Sequence, residues 1–335
     1  MPMYDPRPLP RRALIAVTSA HAPLYPDGKE TGLFITEALH PYNIFKSKGF
    51  EVDFVSETGT FSPDWLSTTE DWLKGDDKKT WEDTSKGFRK QLDSMAKAGD
   101  VDPDQHLAPF CNIKMCKIEG LCWVQQPDKV MLSGQTQASW DDGIQPTQTA
   151  KFGSTCKQVK ARTAANERSL QYGLFFASAG HASLIDYPEA LQLQRLASKV
   201  YSDGGIVSAV CHGGAIFPNV LNPVTNQSII NNKKVTGFTT RGEEEQGVLD
   251  TIKSWNRPTI EEAAAKAGGT YVSPPGPWDS FTQTDGRIVT GANPASAEAT
   301  AVAAVEAFEK EAVLHERGEV EGPHLEASNS HPLAK

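Results

Sequence analysis

The residues best suited to covalent chemistry are Cys211 and His212, adjacent in the run Gly204-Gly205-Ile206-Val207-Ser208-Ala209-Val210-Cys211-His212-Gly213-Gly214-Ala215-Ile216-Phe217. Ile206 to Val210 is apolar or small, follows a Gly-Gly pair and runs into Cys-His-Gly-Gly before an apolar segment resumes. That pattern predicts a buried strand, a tight turn and a helix. Such a turn puts Cys211 at its apex, where the free N–H groups and dipole of the helix start favour an anion and hence a thiolate. Two readings of Cys211 stand at this level: a nucleophile with His212 as proton carrier, or a small apolar residue packed in a core. Glu37, among Phe34, Ile35, Ala38 and Leu39, is either the solvated edge of an amphipathic helix or a carboxyl group held in an apolar wall; the pattern alone favours the solvated edge. Glu243 heads an acidic triplet, which at a helix start ordinarily forms a solvated face complementing the dipole.

Positioning these residues falls to an α/β framework. Ala13 to Thr18 reads as a first buried strand, Thr31 to Leu39 as a helix that Pro41 ends or kinks, and Phe50 to Val55 as a second strand. Trp65, Trp72 and Trp81 dot a charged region between Ser62 and Gly99, best explained by helical turns with an aromatic face on the body. Leu174 to Ala177 is a strand, Ser178-Ala179-Gly180-His181 the turn at its carboxyl end, and Pro188 to Tyr201 a helix leading back to the Ile206 strand. Strands without alternation, joined through helices by short turns, predict a parallel sheet covered on both faces, with the active site at the carboxyl strand ends. Lys234 to Thr239 reads as another strand, Ile260 to Ala267 as a helix, Thr284 to Arg287 as a hairpin-like turn and Ile288 to Thr290 as a final strand. Asn293 before Pro294 caps a closing helix whose buried face carries Ala301, Val305, Phe308 and Ala312.

These elements imply a flexible tail over 1–12, one domain over 13–315 interrupted at about 101–168, and a flexible tail over 316–335. The interruption holds four of the five cysteines, Cys111, Cys116, Cys122 and Cys156. Their spacing does not match the paired short intervals of structural zinc sites, so no metal is expected. Low periodicity there points to a disordered surface excursion, with a lid or a translated intron as the other readings.

The chain has 335 residues, 39% hydrophobic and 22% charged, with a net charge of −9, enough to bury a substantial core. Without a basic stripe, nucleic acid and anionic membranes are poor partners. No apolar run is long enough to span a membrane and Met1 to Arg12 has no signal-peptide core, which points to a soluble, cytoplasmic protein. The odd cysteine count at irregular spacing favours a reducing compartment.

The segment Ala209 to Phe217 closely resembles the nucleophile elbow of the ThiJ/PfpI superfamily, and more narrowly its fungal heat-shock-type glyoxalase III and chaperone branch. The same resemblance runs in order through Tyr25-Pro26-Asp27-Gly28 to Pro41, Gly49 to Gly59, Phe175 to His181, Gly276-Pro277-Trp278-Asp279 and Thr290 to Ser296. It implies a flavodoxin-like three-layer sandwich with a mostly parallel sheet, in which residues 62–99 form part of a small cap and of a homodimer contact. It assigns Cys211 as nucleophile, Glu243 as the triad carboxylate and Glu37 as a carboxyl group sharing a hydrogen bond with the sulfur, with His212 as proton carrier and either His212 or Glu37 as the base that takes the proton from the substrate carbon. Backbone N–H groups near Gly180, His181 and His212 would form the oxyanion hole. The implied activity is cofactor-independent conversion of methylglyoxal and similar 2-oxoaldehydes to 2-hydroxy acids, alongside holdase activity on unfolded client proteins and protein deglycation. A chaperone and cysteine redox sensor without turnover is the alternative, and amide or peptide hydrolysis a second. One departure stands at the elbow: Gly214 occupies a place where relatives usually have Pro, which implies a looser start to the helix beneath Cys211.

Overall fold

Ala13 to Ala16, Leu174 to Ala177, Ile206 to Val210 and Ile288 to Gly291 are buried at every residue. Only a sheet packed on both faces accommodates such strands. The computed structural model describes residues 8–101 and 172–317. In chain order the main elements are β1 (Arg12–Ala16), α1 (Ile35–Ser47), β2 (Glu51–Ser56), β3 (Ala96–Lys97), β4 (Leu174–Ala177), α2 (Leu191–Ser202), β5 (Ile206–Val210), α3 (Thr240–Glu245), α4 (Ile260–Lys266), β6 (Thr282–Asp285), β7 (Ile288–Gly291) and α5 (Ala297–Arg317).

The sheet order is β6-β7-β5-β4-β1-β2-β3. Every pairing is parallel except the β6–β7 hairpin, where Asp285 opposes Ile288. Without the two-residue edge strand β3 and the hairpin strand β6, the remaining five adopt the flavodoxin-like order 2-1-3-4-5. Alternate strand residues face opposite layers. Ala13 and Ile15 join Ile35, Leu39, Phe45, Ala301 and Phe308 of α1 and α5 on one side. Leu14 and Ala16 join Leu193, Ala197, Ile260 and Ala264 of α2 and α4 on the other.

Several expectations need correcting. Pro41 neither ends nor interrupts α1, which starts at Ile35 and continues to Ser47. Its missing N–H forfeits one bond, to the Glu37 carbonyl, while Ile35, Ala38 and Leu39 before it and Tyr42 and Phe45 after it are all held in the core. Lys234 to Thr239 is not a strand of the central sheet. Lys234–Val235 pairs with Thr270–Tyr271 in a separate ribbon, and the chain then crosses behind the elbow, where the Phe238 N–H donates to the Cys211 carbonyl. The turn at Cys211 opens a 3-10 segment, Cys211–Asn219, rather than an α-helix. At the N-terminal boundary Leu9 is already buried and Arg12 opens β1. At the other end α5 runs to Arg317 with His315 buried. In the 62–99 region, the short helix Gly87–Asp93 is anchored by Phe88 and Leu92, while Gly75–Glu82, with no fully buried residue, packs Trp81 against the same core. The interruption at about 101–168, with its four cysteines, lies almost wholly outside the described residues, as do the ends of both tails. No described helix is long and apolar enough to cross a membrane.

Candidate active site

Strand β5 delivers Cys211 at its carboxyl end, and the neighbouring β4, in register with Ala177 opposite Ala209, delivers the 178–181 turn beside it. Cys211 has a φ of 56°, a left-handed conformation unusual for a non-glycine residue and typical of a strained elbow that exposes a nucleophile. The turn depends on close backbone approach. A Cβ on Gly213 would lie 2.3 Å from the Ala177 carbonyl oxygen, and one on Gly180 2.0 Å from that of Gly32. At Gly214 the nearest atom to a Cβ would be Ile260 Cγ2 at 3.3 Å, so the departure from the family pattern leaves no gap beneath the elbow.

Four side chains meet there. Cys211 Sγ lies 3.1 Å from His212 Nδ1, His212 Nε2 is 2.7 Å from Glu243 Oε1, and His181 Nε2 is 2.9 Å from Glu243 Oε2. Burial works to raise the Glu243 carboxyl, but His181 and His212 outweigh it and hold it at about 2. An ionised carboxylate only accepts, so both Nε2 atoms must donate. In neutral His212 that fixes the tautomer and leaves the Nδ1 lone pair facing the sulfur. Burial, then the neighbouring His181, push His212 down to about 4, so it is neutral at pH 7. Burial opposes charge on His181 too, yet the Glu243 carboxylate outweighs it and raises its pKa.

Glu37, in the first turn of α1, is completely buried. The Cys211 thiol and the Ala179 backbone are the polar groups beside it, and neither carboxyl oxygen makes a hydrogen bond of good geometry. Burial raises its pKa to about 8, which leaves it protonated at neutral pH. Of the two readings from sequence, the apolar wall is the one realised, and the carboxyl lies close enough to the sulfur for each to shift the other's proton affinity, as the hydrogen bond implied by the resemblance requires. Cys211 also departs from expectation. Burial, then Glu37, push the thiol well up, while the His212 backbone N–H pulls the other way, so the resting group is a thiol rather than a preformed thiolate.

Sequence reasoning brought together Cys211, His212, Glu243 and Glu37, and placed Gly180 and His181 at the adjoining turn. It missed the His181 ring, which was considered only for its backbone. It also missed Tyr25, whose hydroxyl donates to buried Asp64 at 2.9 Å and whose ring edge meets His181 at 6.5 Å. Phe238 was missed as well, packed against His212 and His181 at 4.8 and 5.7 Å and overlain by Trp278 at 5.5 Å. Tyr25 and Trp278 lie in stretches that carry the family resemblance, a usable signal; Asp64 and Phe238 gave none. His181, His212 and Glu243 could offer ligand atoms within 4.8 Å of one another, but each is already engaged in this hydrogen-bonded strap.

The arrangement supplies a buried thiol, a neutral base aimed at it, a carboxylate orienting that base and a protonated carboxyl beneath the sulfur. That set suits addition of sulfur to a carbonyl and subsequent proton movement. No protein-family model matches the chain. Among curated proteins, it is 39% identical over 298 residues to the Candida albicans protein named Glyoxalase 3, covering 89% of this chain and 98% of that one. It is 37% identical over 299 residues to Glutathione-independent glyoxalase HSP31 of Saccharomyces cerevisiae, with the same coverage. The crystal structure of glyoxalase III from Candida albicans superposes with a TM-score of 0.68 at 39% identity, covering 89% of this chain and 98% of that one.

Proposed function

The chain belongs to the glutathione-independent glyoxalase family, and from that premise we propose that it converts methylglyoxal and related 2-oxoaldehydes to 2-hydroxy acids with Cys211 as nucleophile. The observation that carries the reading is the linked set Cys211–His212–Glu243, with contacts of 3.1 and 2.7 Å.

As sulfur adds to the aldehyde carbon, the thiol proton passes to His212 Nδ1 and from there to the aldehyde oxygen, giving a hemithioacetal. This route suits a thiol held neutral by burial, because the base acts during attack rather than before it. Neutral again, His212 removes the hydrogen from the former aldehyde carbon, producing an enediol-like species. Reprotonation at the adjacent carbon, with loss of the hydroxyl proton, yields a 2-hydroxy thioester, and water releases the acid and restores the thiol. The hydrogen moves within the substrate, so the sequence requires no oxidant or reductant. Glu37, protonated at neutral pH, is suited to donate where His212 accepts. Backbone N–H groups of Gly180 and His181, on the turn beside the elbow, are the proposed donors to the developing oxyanion. A cytoplasmic homodimer completes the reading.

Lactate formation from methylglyoxal without glutathione tests it. Wild-type protein should turn over, and Cys211→Ala should lose at least about 10³-fold in kcat/KM. Equal rates in the two would eliminate the thiol mechanism. Absence of turnover in wild type, with aggregation of a client protein still suppressed, would replace the enzyme by a holdase.

A further inference from the structure

The imidazoles of His181 and His212 lie with centroids 4.1 Å apart, tilted 38°, and each occupies one oxygen of the same Glu243 carboxylate. The Cys211–His212–Glu243 set does not by itself require a second histidine on the carboxylate. Two cations at this separation in a buried site repel strongly, while one cation beside one carboxylate is neutral overall. The pair therefore holds at most one positive charge, and its location decides whether a base faces the sulfur. His212 is fully buried, whereas His181 retains 5% exposure and is the ring closer to solvent.

We propose that His181 is a positioning residue that carries the positive charge of this strap on Glu243, so that His212 stays neutral with its Nδ1 lone pair directed at the Cys211 sulfur. The groups facing the two rings agree with that location. Glu243 comes from α3, and Asp64, on the loop after β2, adds a further pull on His181. Tyr25 presents its ring edge to His181 and donates its hydroxyl proton to Asp64. Glu37 from α1 sits on the Cys211 side and is uncharged at neutral pH. Phe238 covers both rings and brings no charge. The raised pKa of His181 and the lowered one of His212 run in the same direction. The proposal rests on the base role given to His212 above.

The full-length protein with ¹⁵N-labelled histidine tests it directly, since the chain has eight histidines to assign. In wild type at pH 6, His181 should be protonated on both nitrogens and His212 protonated on Nε2 alone. His181→Gln retains a side-chain N–H for Glu243 but cannot ionise. In that variant His212, relieved of the neighbouring charge but still buried, should titrate above its wild-type value of about 4 while remaining below the ordinary histidine value. Alkylation of Cys211 by iodoacetamide should show its acid limb displaced by the same amount. His181→Phe, which removes both charge and hydrogen bond, should displace the His212 titration likewise. A neutral His181 with a doubly protonated His212 in wild type at pH 6 overturns the proposal without any variant, as does an unmoved His212 titration in a folded His181→Gln. If methylglyoxal is not turned over but His212 shifts as expected, the protonation assignment stands and the glyoxalase reading falls.

Discussion

The Glu37 carboxyl is sealed against the Cys211 thiol, and burial outweighs that contact in setting its proton affinity. Its folded pKa, about 8, exceeds its unfolded value near 4.5. The native state therefore keeps a proton that the unfolded chain releases between these limits. Its stabilising contribution is complete below pH 4.5 and is lost as pH rises to 8. Wild type should lose stability relative to Glu37→Gln across this window, by at most about 1.4 kcal/mol per pH unit. Urea unfolding at several pH values measures it, and parallel curves for the two proteins would show that Glu37 does not hold the proton.

Glu243 works in the opposite sense. With its folded pKa depressed to about 2, it contributes stability that is present above pH 4.5 and is lost as pH falls towards 2. Glu243→Gln should be destabilised relative to wild type at pH 6 and converge with it in acid. The carboxamide can accept from only one imidazole, so the His212 tautomer is no longer fixed. kcat should fall by roughly 10³- to 10⁴-fold. Steady-state kinetics at pH 7 check this, and a loss confined to KM would argue against the orienting role.

Adjacent glycines at the elbow should respond differently. Gly213→Ala drives a Cβ to 2.3 Å from the Ala177 carbonyl oxygen, a backbone atom of β4, and should cost about 2–3 kcal/mol and displace Cys211. Gly214→Ala meets side-chain atoms alone, Ile260 Cγ2 at 3.3 Å and Phe217 Cδ2 at 3.9 Å, and should change stability by less than about 1 kcal/mol. Thermal unfolding separates the two, and similar losses in both would contradict the described packing.

Tyr25→Phe removes the hydroxyl that donates to buried Asp64, leaving Ser67 N–H as the remaining donor to that carboxylate. A loss of about 1–3 kcal/mol is expected. Denaturant midpoints would reveal it, and an unchanged midpoint would mean that water replaces the hydroxyl.

The strands were legible because continuous burial writes itself as unbroken apolar runs, as at Ile206 to Val210. Cys211 and His212 were legible because glycines bracket them where a strand must turn. Glu37 and Glu243 were not readable from pattern, since an acid beside apolar residues and an acid at a helix start look the same whether solvated or buried; only the resemblance to a known family distinguished them. The persistence of α1 through Pro41 was hidden for a related reason, as core contacts on both sides of a proline are tertiary facts. Lys234 to Thr239 has the composition of a strand, but its backbone serves Cys211 and Thr290 instead of continuing a ladder.

The position of β5 between β4 and β7 also bears on how the protein is made. Cys211 leaves the ribosome long before β7 does. At roughly 5–20 residues per second, the nascent chain spends several seconds with the cysteine strand as an unpaired edge. During synthesis that edge invites pairing with other chains, and the thiol at its end is open to stray electrophiles. Only when Ile288 to Gly291 zips alongside is the edge covered, so among the sheet strands the last one translated completes the surroundings of the strand that ends at Cys211.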